Sequence, residues 1–225
     1  MLSTPKIPCY LNSRDRLSSL QPMVEYLQQL PNALPIIVDN DSAWPPLLEW
    51  YAKCGVPIIR LGRNGGPMAP WTLRNLSRGS EFYVVSDPDL DLTGVPPDVL
   101  LVMAAGLREY PDRIKCGLSL EINDLPPTEV GRAAAEWERQ FWRTRLDDFW
   151  WNAPVDTTFA MYRANFHDTR QRLSPAMRSD RPYTAKHLPW YMTDSLTAET
   201  RHYLQRCGKN WSFWAKRILK ATGNP

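Results

Sequence analysis

The chain has 225 residues, with 27 Lys and Arg against 24 Asp and Glu for a formal charge of +3. This mild excess suits an anionic ligand but lacks the dense basic stripe of a nucleic-acid binder, so nucleic acid is excluded as an expected partner. A chain of this length folded as one domain over 1–225 buries roughly 70% of its unfolded surface, enough for a substantial core.

Lys6 to Leu11 reads as a first strand, Asn12 to Arg16 as a polar loop, and Leu17 to Leu30 as a helix with Leu20, Val24 and Leu27 on one face. Leu34 to Val38 is a second buried strand, and Trp44 to Tyr51 a helix that Gly55 stops. Val56 to Leu61 supplies a third strand, followed by the loop signal RNGGP. Phe82 to Val85 is a fourth strand ended by Ser86, and Pro97 to Tyr110 a helix with proline near its first turn. Ile114 to Ile122 reads as a strand and Thr128 to Phe149 as a helix capped by Thr128, with Trp137, Phe141 and Trp142 packed on a sheet. Thr157 to Tyr162 is the last strand expected, and the remainder reads as mixed helix and loop. Near the end, Trp211, Trp214 and Ile218 form an apolar face flanked by Lys209, Lys216, Arg217 and Lys220. A basic helical extension over 197–225 could rest on an anionic membrane, or it could cover the core with a solvated back.

Strands alternating with helices imply an α/β sandwich with a mostly parallel sheet. The first segment, MLSTPKIPCYLNSRDR, lacks the apolar stretch of a secretion signal, and no run approaches the ~20 apolar residues that cross a bilayer, so a cytoplasmic location is expected. Cys9, Cys54, Cys116 and Cys207 are widely separated and form no C-x-x-C pair, which reads as reduced core thiols.

In parallel sheets ligands bind beyond the carboxyl ends of the strands. That rule gathers Asn12, Arg14 and Asp15 after strand one, Asp39, Asn40 and Asp41 after strand two, Arg63 and Asn64 after strand three, and Asp87 and Asp89 after strand four. Two carboxylates separated by the stiff Pro88 lose little entropy in turning to one divalent cation. The same tripeptide can also serve as an ordinary Asp-Pro turn.

Asp87, Pro88 and Asp89, following IIVDN and RLGRNGGPMAPW and preceding LSLEINDLP, VDTTFAMY and PYTAKHLPWY, resemble the D-x-D motif and its surroundings in nucleotide-sugar-dependent glycosyltransferases of the GT-A fold. The likeness is to a small bacterial and viral group and runs to about Tyr191. It implies a GT-A-like single domain, a nucleoside-diphosphate sugar donor and a glycan or glycolipid acceptor. It also implies Mn²⁺ or Mg²⁺ held by Asp89, with Asp87 as helper and His187 as a third ligand or phosphate contact. Asn12, Arg14 and Asp39 are placed along the nucleotide pocket, with Asn64 and Gly65 in the loop beside nucleotide and sugar. The general base of an inverting transfer is expected in Asp156, with Glu121 and Asp124 as rivals.

Each residue has a structural reading beside this one. Asp39 and Asp41 could cap the following helix, Asn64 to Gly66 could be a tight turn, and Asp124 a helix cap. His187 could be structural, and Trp71, Trp151, Trp190 and Tyr191 could pack in the core rather than stack on sugars. Two other functions remain beside the transferase: a sugar-phosphate nucleotidyltransferase, whose glycine-rich phosphate loop CYLNSRDR lacks, and a non-catalytic glycan-binding protein.

Overall fold

The computed structural model describes residues 6–164, 166, 175–192 and 196–206. Among them the chain forms β1 (Ile7–Ser13), α1 (Leu17–Gln29), β2 (Ala33–Asp39), α2 (Pro45–Tyr51), β3 (Ile58–Arg60), β4 (Phe82–Ser86) and β5 (Leu90–Asp91). There follow α3 (Val99–Glu109), β6 (Lys115–Gly117), β7 (Ser119–Leu120), α4 (Glu129–Glu138), β8 (Trp150–Trp151), β9 (Ala160–Arg163), β10 (Ala176–Ser179), β11 (Thr184–His187) and α5 (Ala198–Arg206). The main sheet has eight strands in the order β3-β2-β1-β4-β9-β6-β10-β8, and a smaller sheet runs β5-β11-β7.

The fold is α/β with a mixed central sheet. Strands β3, β2, β1 and β4 run parallel, as do β6 and β10, whereas β9 is antiparallel to both β4 and β6 and β8 antiparallel to β10. The parallel majority expected from the sequence is therefore narrow. Reversal of β9 matters for the site, because the start of an antiparallel strand lies at the end where its parallel neighbours finish. Ala160 stands opposite both Val85 and Gly117.

Alternation along the strands divides the core. Cys9, Leu11, Ile37, Val84 and Met161 face a cluster built with Leu20, Met23, Val24 and Leu27 of α1 and Val99, Leu100, Met103 and Leu107 of α3. Tyr10, Ile36, Val38, Tyr83, Val85 and Tyr162 face the other side, where Leu76, Trp71 and Leu73 close over them. The expected apolar face of α1 is this buried stripe, and α3 starts at Val99 after Asp98, so Pro96 and Pro97 lie just outside the helix rather than in its first turn.

Three expectations are corrected. The segment from Ile114 to Ile122 is two strands rather than one: β6 joins the main sheet and β7 the small one, with Leu118 between them. The helix that Thr128 caps, through the Gly131 N–H donating to its hydroxyl at 3.0 Å, ends at Glu138 and passes into a 3-10 turn over Arg139–Trp142. Trp137, still within α4, is 47% exposed instead of packed on the sheet. Last, β10 and β11 lie in the portion expected to be helix and loop. They are four residues each, too short and too polar for their alternation to stand out.

Among the described residues no helix is long and apolar enough to cross a membrane. The expected amphipathic face of Trp211, Trp214 and Ile218, its basic flank and Cys207 lie outside the described residues.

Candidate functional site

The loop after β4 is tied to the segment before β9. The Asp87 N–H donates to Thr157 O at 2.9 Å, the Thr157 hydroxyl donates to the Asp87 carboxylate, and the Phe159 N–H donates to Ser86 Oγ at 3.2 Å. Phe159 holds φ at +45°, a left-handed backbone that a bulky residue adopts only when its surroundings impose it. Asp156 stands immediately before this turn and is exposed at the strand-end crevice. One of its oxygens accepts from the Thr158 N–H at 3.1 Å and the Thr158 hydroxyl at 2.7 Å.

The small sheet then delivers His187. Leu90 and Asp91 pair with His187 and Lys186, and the Leu188 N–H donates to Asp89 O at 2.9 Å. His187 Nε2 lies 3.7 Å from Asp89 Oδ2, and its ring is set by Trp190 at a centroid distance of 4.7 Å. Asp87, Asp89, Asp156 and His187, from three separated stretches of sequence, thus gather at the carboxyl end of β4.

Their charges are not independent. Burial, then the neighbouring Asp89 charge, holds the Asp87 carboxyl well above the usual carboxylate range, with Asp156 adding to the rise and the Thr157 hydroxyl opposing it. Asp156 goes the other way. Although it is open to the crevice, the protein packed behind the carboxyl keeps water from it and would raise it, but the Arg178 charge and the two Thr158 bonds outweigh that and hold it below its ordinary value. Burial lowers His187, so its imidazole is neutral at neutral pH. Both Asp89 Oδ1 and His187 Nδ1 are buried without a hydrogen-bond partner among the described residues.

A carboxylate and a neutral imidazole facing one another, each with an orphaned buried atom, fit a hard or borderline divalent cation. No cluster of three or more His, Cys, Asp or Glu placed to enclose an ion occurs among the described residues. The protein's contribution to such a site would therefore be partial, with further oxygens supplied by ligand or water.

Around β1 and β2 the expected residues form a second group. Asn12 and Asn40 donate to Gly66 O at 3.2 and 3.0 Å, Asn40 Oδ1 accepts from the Gly65 N–H at 2.7 Å, and Asn64 Oδ1 from the Gly66 N–H at 2.9 Å. The RNGGP loop is thereby fastened to two strand ends, and Gly66 carries the required φ of +67°. Asn40 was identifiable only as one polar residue among several, and its two-sided clamp needs the third dimension. Asp39 accepts from the Ser42 N–H and the Tyr51 hydroxyl, each at 3.2 Å, but it does not cap α2, whose N-cap residue is Trp44 with no side-chain cap bond. Arg14 is mostly buried, 3.9 Å from Asp41.

Asp15 was overlooked as an organiser. It is fully buried, accepts from the Ala43 and Trp44 N–H groups at 2.6 and 2.8 Å, and faces His202 and Arg206 of α5 at 3.7 and 3.5 Å. α5 is thus docked at the ends of β1 and β2.

Glu121 and Asp124 occupy another place. Glu121 is gripped through both oxygens by Arg181 at 2.8 Å, while Asp124 meets Lys186 at 2.5 Å and the Tyr191 hydroxyl at 2.6 Å. Arg181 holds the Glu121 carboxyl below its ordinary range, and Lys186 does the same for Asp124. Both line an open cleft of about 460 Å³ with Thr93, Thr184 and Lys186. Lys186 and His187 are consecutive in β11, and strand alternation turns them to opposite sides. Of the aromatic candidates, Trp190 is 2% exposed and belongs to the core, while Trp151 stacks under Arg145 at 3.6 Å.

No family model matches the chain, and no curated protein matches it. Among solved structures, residues 1–349 of TarS from S. aureus superpose with a TM-score of 0.47 at 11% identity, covering 96% of this chain and 69% of that one. The 4-diphosphocytidyl-2C-methyl-D-erythritol synthase from Anaerococcus prevotii gives 0.41 at 10% identity, covering 98% and 96%. Likeness at this level carries no conclusion about chemistry, which rests on the site alone.

Proposed function

We propose that the chain is a metal-dependent glycosyltransferase of the GT-A type that moves a sugar from a nucleoside-diphosphate sugar to a hydroxyl of a surface polysaccharide or lipid-linked glycan. The observation that carries this reading is the convergence of Asp87, Asp89, Asp156 and His187 at one strand end. Three carboxyl groups crowd there, and the cost shows in the raised Asp87. Such crowding is retained where a cationic ligand relieves it.

Asp89 and His187 would hold Mn²⁺ or Mg²⁺, which would supply positive charge to offset that of the departing nucleoside diphosphate. Asn12, Asn40 and Asn64 hold the Gly65–Gly66 backbone in place as one wall of the nucleotide pocket, with Arg14 and Asp39 along it. Asp156 is the general base. Its carboxylate takes the acceptor hydroxyl proton while the acceptor oxygen bonds to the anomeric carbon and the bond from that carbon to the diphosphate oxygen breaks. Attack opposite the leaving group inverts the anomeric centre. Thr158, holding one Asp156 oxygen, leaves the other for the acceptor.

Calorimetric titration with UDP, GDP, dTDP and CMP, with Mn²⁺ and after chelation, tests the reading. Metal-dependent binding of one nucleotide supports it, and absence of binding to all four removes it.

A further inference from the structure

Behind the crevice lies a buried ion pair that the proposed chemistry does not use directly. Glu138, the last residue of α4, and Arg178 of β10 bond through Oε1 and Nη1, and their side chains are 2% and 4% exposed. The same guanidinium donates from Nε to Pro154 O at 2.7 Å, two residues before Asp156. Its plane is covered by Phe141, 4.2 Å from the ring centroid, on the 3-10 turn that ends α4 early. Arg178 is therefore fixed on three sides, and its register in β10, opposite Gly117 and Trp151, aims it at the segment entering β9.

We propose that Arg178, held from behind by Glu138, is the positioning residue of Asp156: one rigid guanidinium fixes the backbone of the segment from Pro154 to Asp156 and supplies the positive charge that faces the carboxylate. A planar fork with several donors can serve both partners at once, which an ammonium cannot. The other groups that act on Asp156 are His187 from β11, Asp87 after β4 and the Thr158 bonds within its own turn. Of these only Arg178 carries a fixed positive charge, and it is the strongest influence opposing burial. Glu138 is itself pushed up to about 7, by burial first, with Asp156 adding and Arg178 opposing. Glu138 anchors Arg178 through the buried Oε1–Nη1 bond.

The inference rests on Asp156 being the base of the proposed transfer, and its test has a readout that does not. The double variant Glu138→Leu with Arg178→Met replaces the pair by apolar side chains, an exchange that buried ion pairs often tolerate. Arg178→Gln, whose amide still donates to Pro154, is measured in parallel so that the result does not hang on one variant's folding. The Asp156 carboxyl is followed by carbon-detected NMR titration of the full chain, assigned through Asp156→Asn. We expect its midpoint to rise by about one pH unit or more in both variants, the effect of removing an opposite charge from beside a carboxylate. The acid limb of kcat should rise with it while KM for the donor stays within about twofold. Arg178→Lys should keep the midpoint and lose kcat, because charge remains and the fork is gone.

An unmoved midpoint in the folded variants overturns the inference, as does full kcat in Arg178→Lys. A midpoint that moves in a protein that turns over no sugar nucleotide supports the coupling and removes only the proposed function.

Discussion

Replacing Asp89 by Asn should weaken ligand binding and leave the fold at least as stable, two opposite signs from one atom. Asp89 Oδ1 is buried without a partner and Oδ2 sits 3.7 Å from a neutral His187, so neither oxygen makes a bond on which the fold depends. The Asp89 charge instead raises Asp87. A carboxyl raised in the folded state favours folding below its unfolded value and loses that advantage as pH climbs toward the folded value. The cost of the repulsion is therefore smallest in acid and grows as pH rises through the raised Asp87 value. The substitution should raise stability at pH 7 by up to about 1 kcal/mol, equal to roughly 2–4 °C in Tm for a chain of this size, and raise it less as the pH is lowered into the acid range. Loss of a charged contact to a metal–nucleotide complex costs about 1.5–3 kcal/mol, or roughly 10- to 150-fold in Kd. Scanning calorimetry of the metal-free protein and titration with nucleotide and Mn²⁺ measure the two arms. Unchanged metal-dependent binding would refute the ligand assignment. A Tm several degrees lower at pH 7 would show that Asp89 holds the fold, and the reasoning about its orphaned oxygen would be wrong.

Asp156→Asn should lower kcat by about 10²- to 10⁴-fold with nucleotide affinity intact, as steady-state kinetics and calorimetry on the same preparation will show. Thr157→Val removes the hydroxyl that donates to Asp87 and opposes the rise of its pKa, so the Asp87 midpoint should move further up in an NMR titration. Asp15→Ala strands the Ala43 and Trp44 N–H groups and frees His202 and Arg206, and urea unfolding should show a loss of about 2–4 kcal/mol. Gly106→Ala places a Cβ 2.3 Å from Trp150 Cζ2, and the overpacking should cost about 1–3 kcal/mol in the same assay.

Legibility followed the range of the interactions involved. β1, β2 and β4 were readable because each is an apolar run buried on both faces, and α1 because its helical period matches its buried stripe. The length of α4 was not, since the aromatic positions beyond Glu138 continue a helical pattern although the chain tightens there into a 3-10 turn, with Phe141 over Arg178. β7 and β11 pair with each other across more than sixty residues, and neither segment of two and four residues carries a pattern of its own.

The same contrast separates the two halves of the candidate site. Asp87 and Asp89 announce themselves because both carboxylates and the strand that releases them are contiguous in sequence. His187 reaches Asp89 only because β11 adds to β5, and Asp156 reaches Asp87 only because β9 runs against β4. Both alignments depend on strand direction, which composition and periodicity do not encode. Glu121 and Asp124 were attractive on residue type alone, yet Arg181 and Lys186 hold them in ion pairs on a different cleft. A general base needs a carboxylate with a free oxygen turned to the crevice, and of the three candidates Asp156 combines that exposure with a cation placed behind it. The pairing of a charge that opens to ligand with a counter-charge sealed in the core is the property that ranks them.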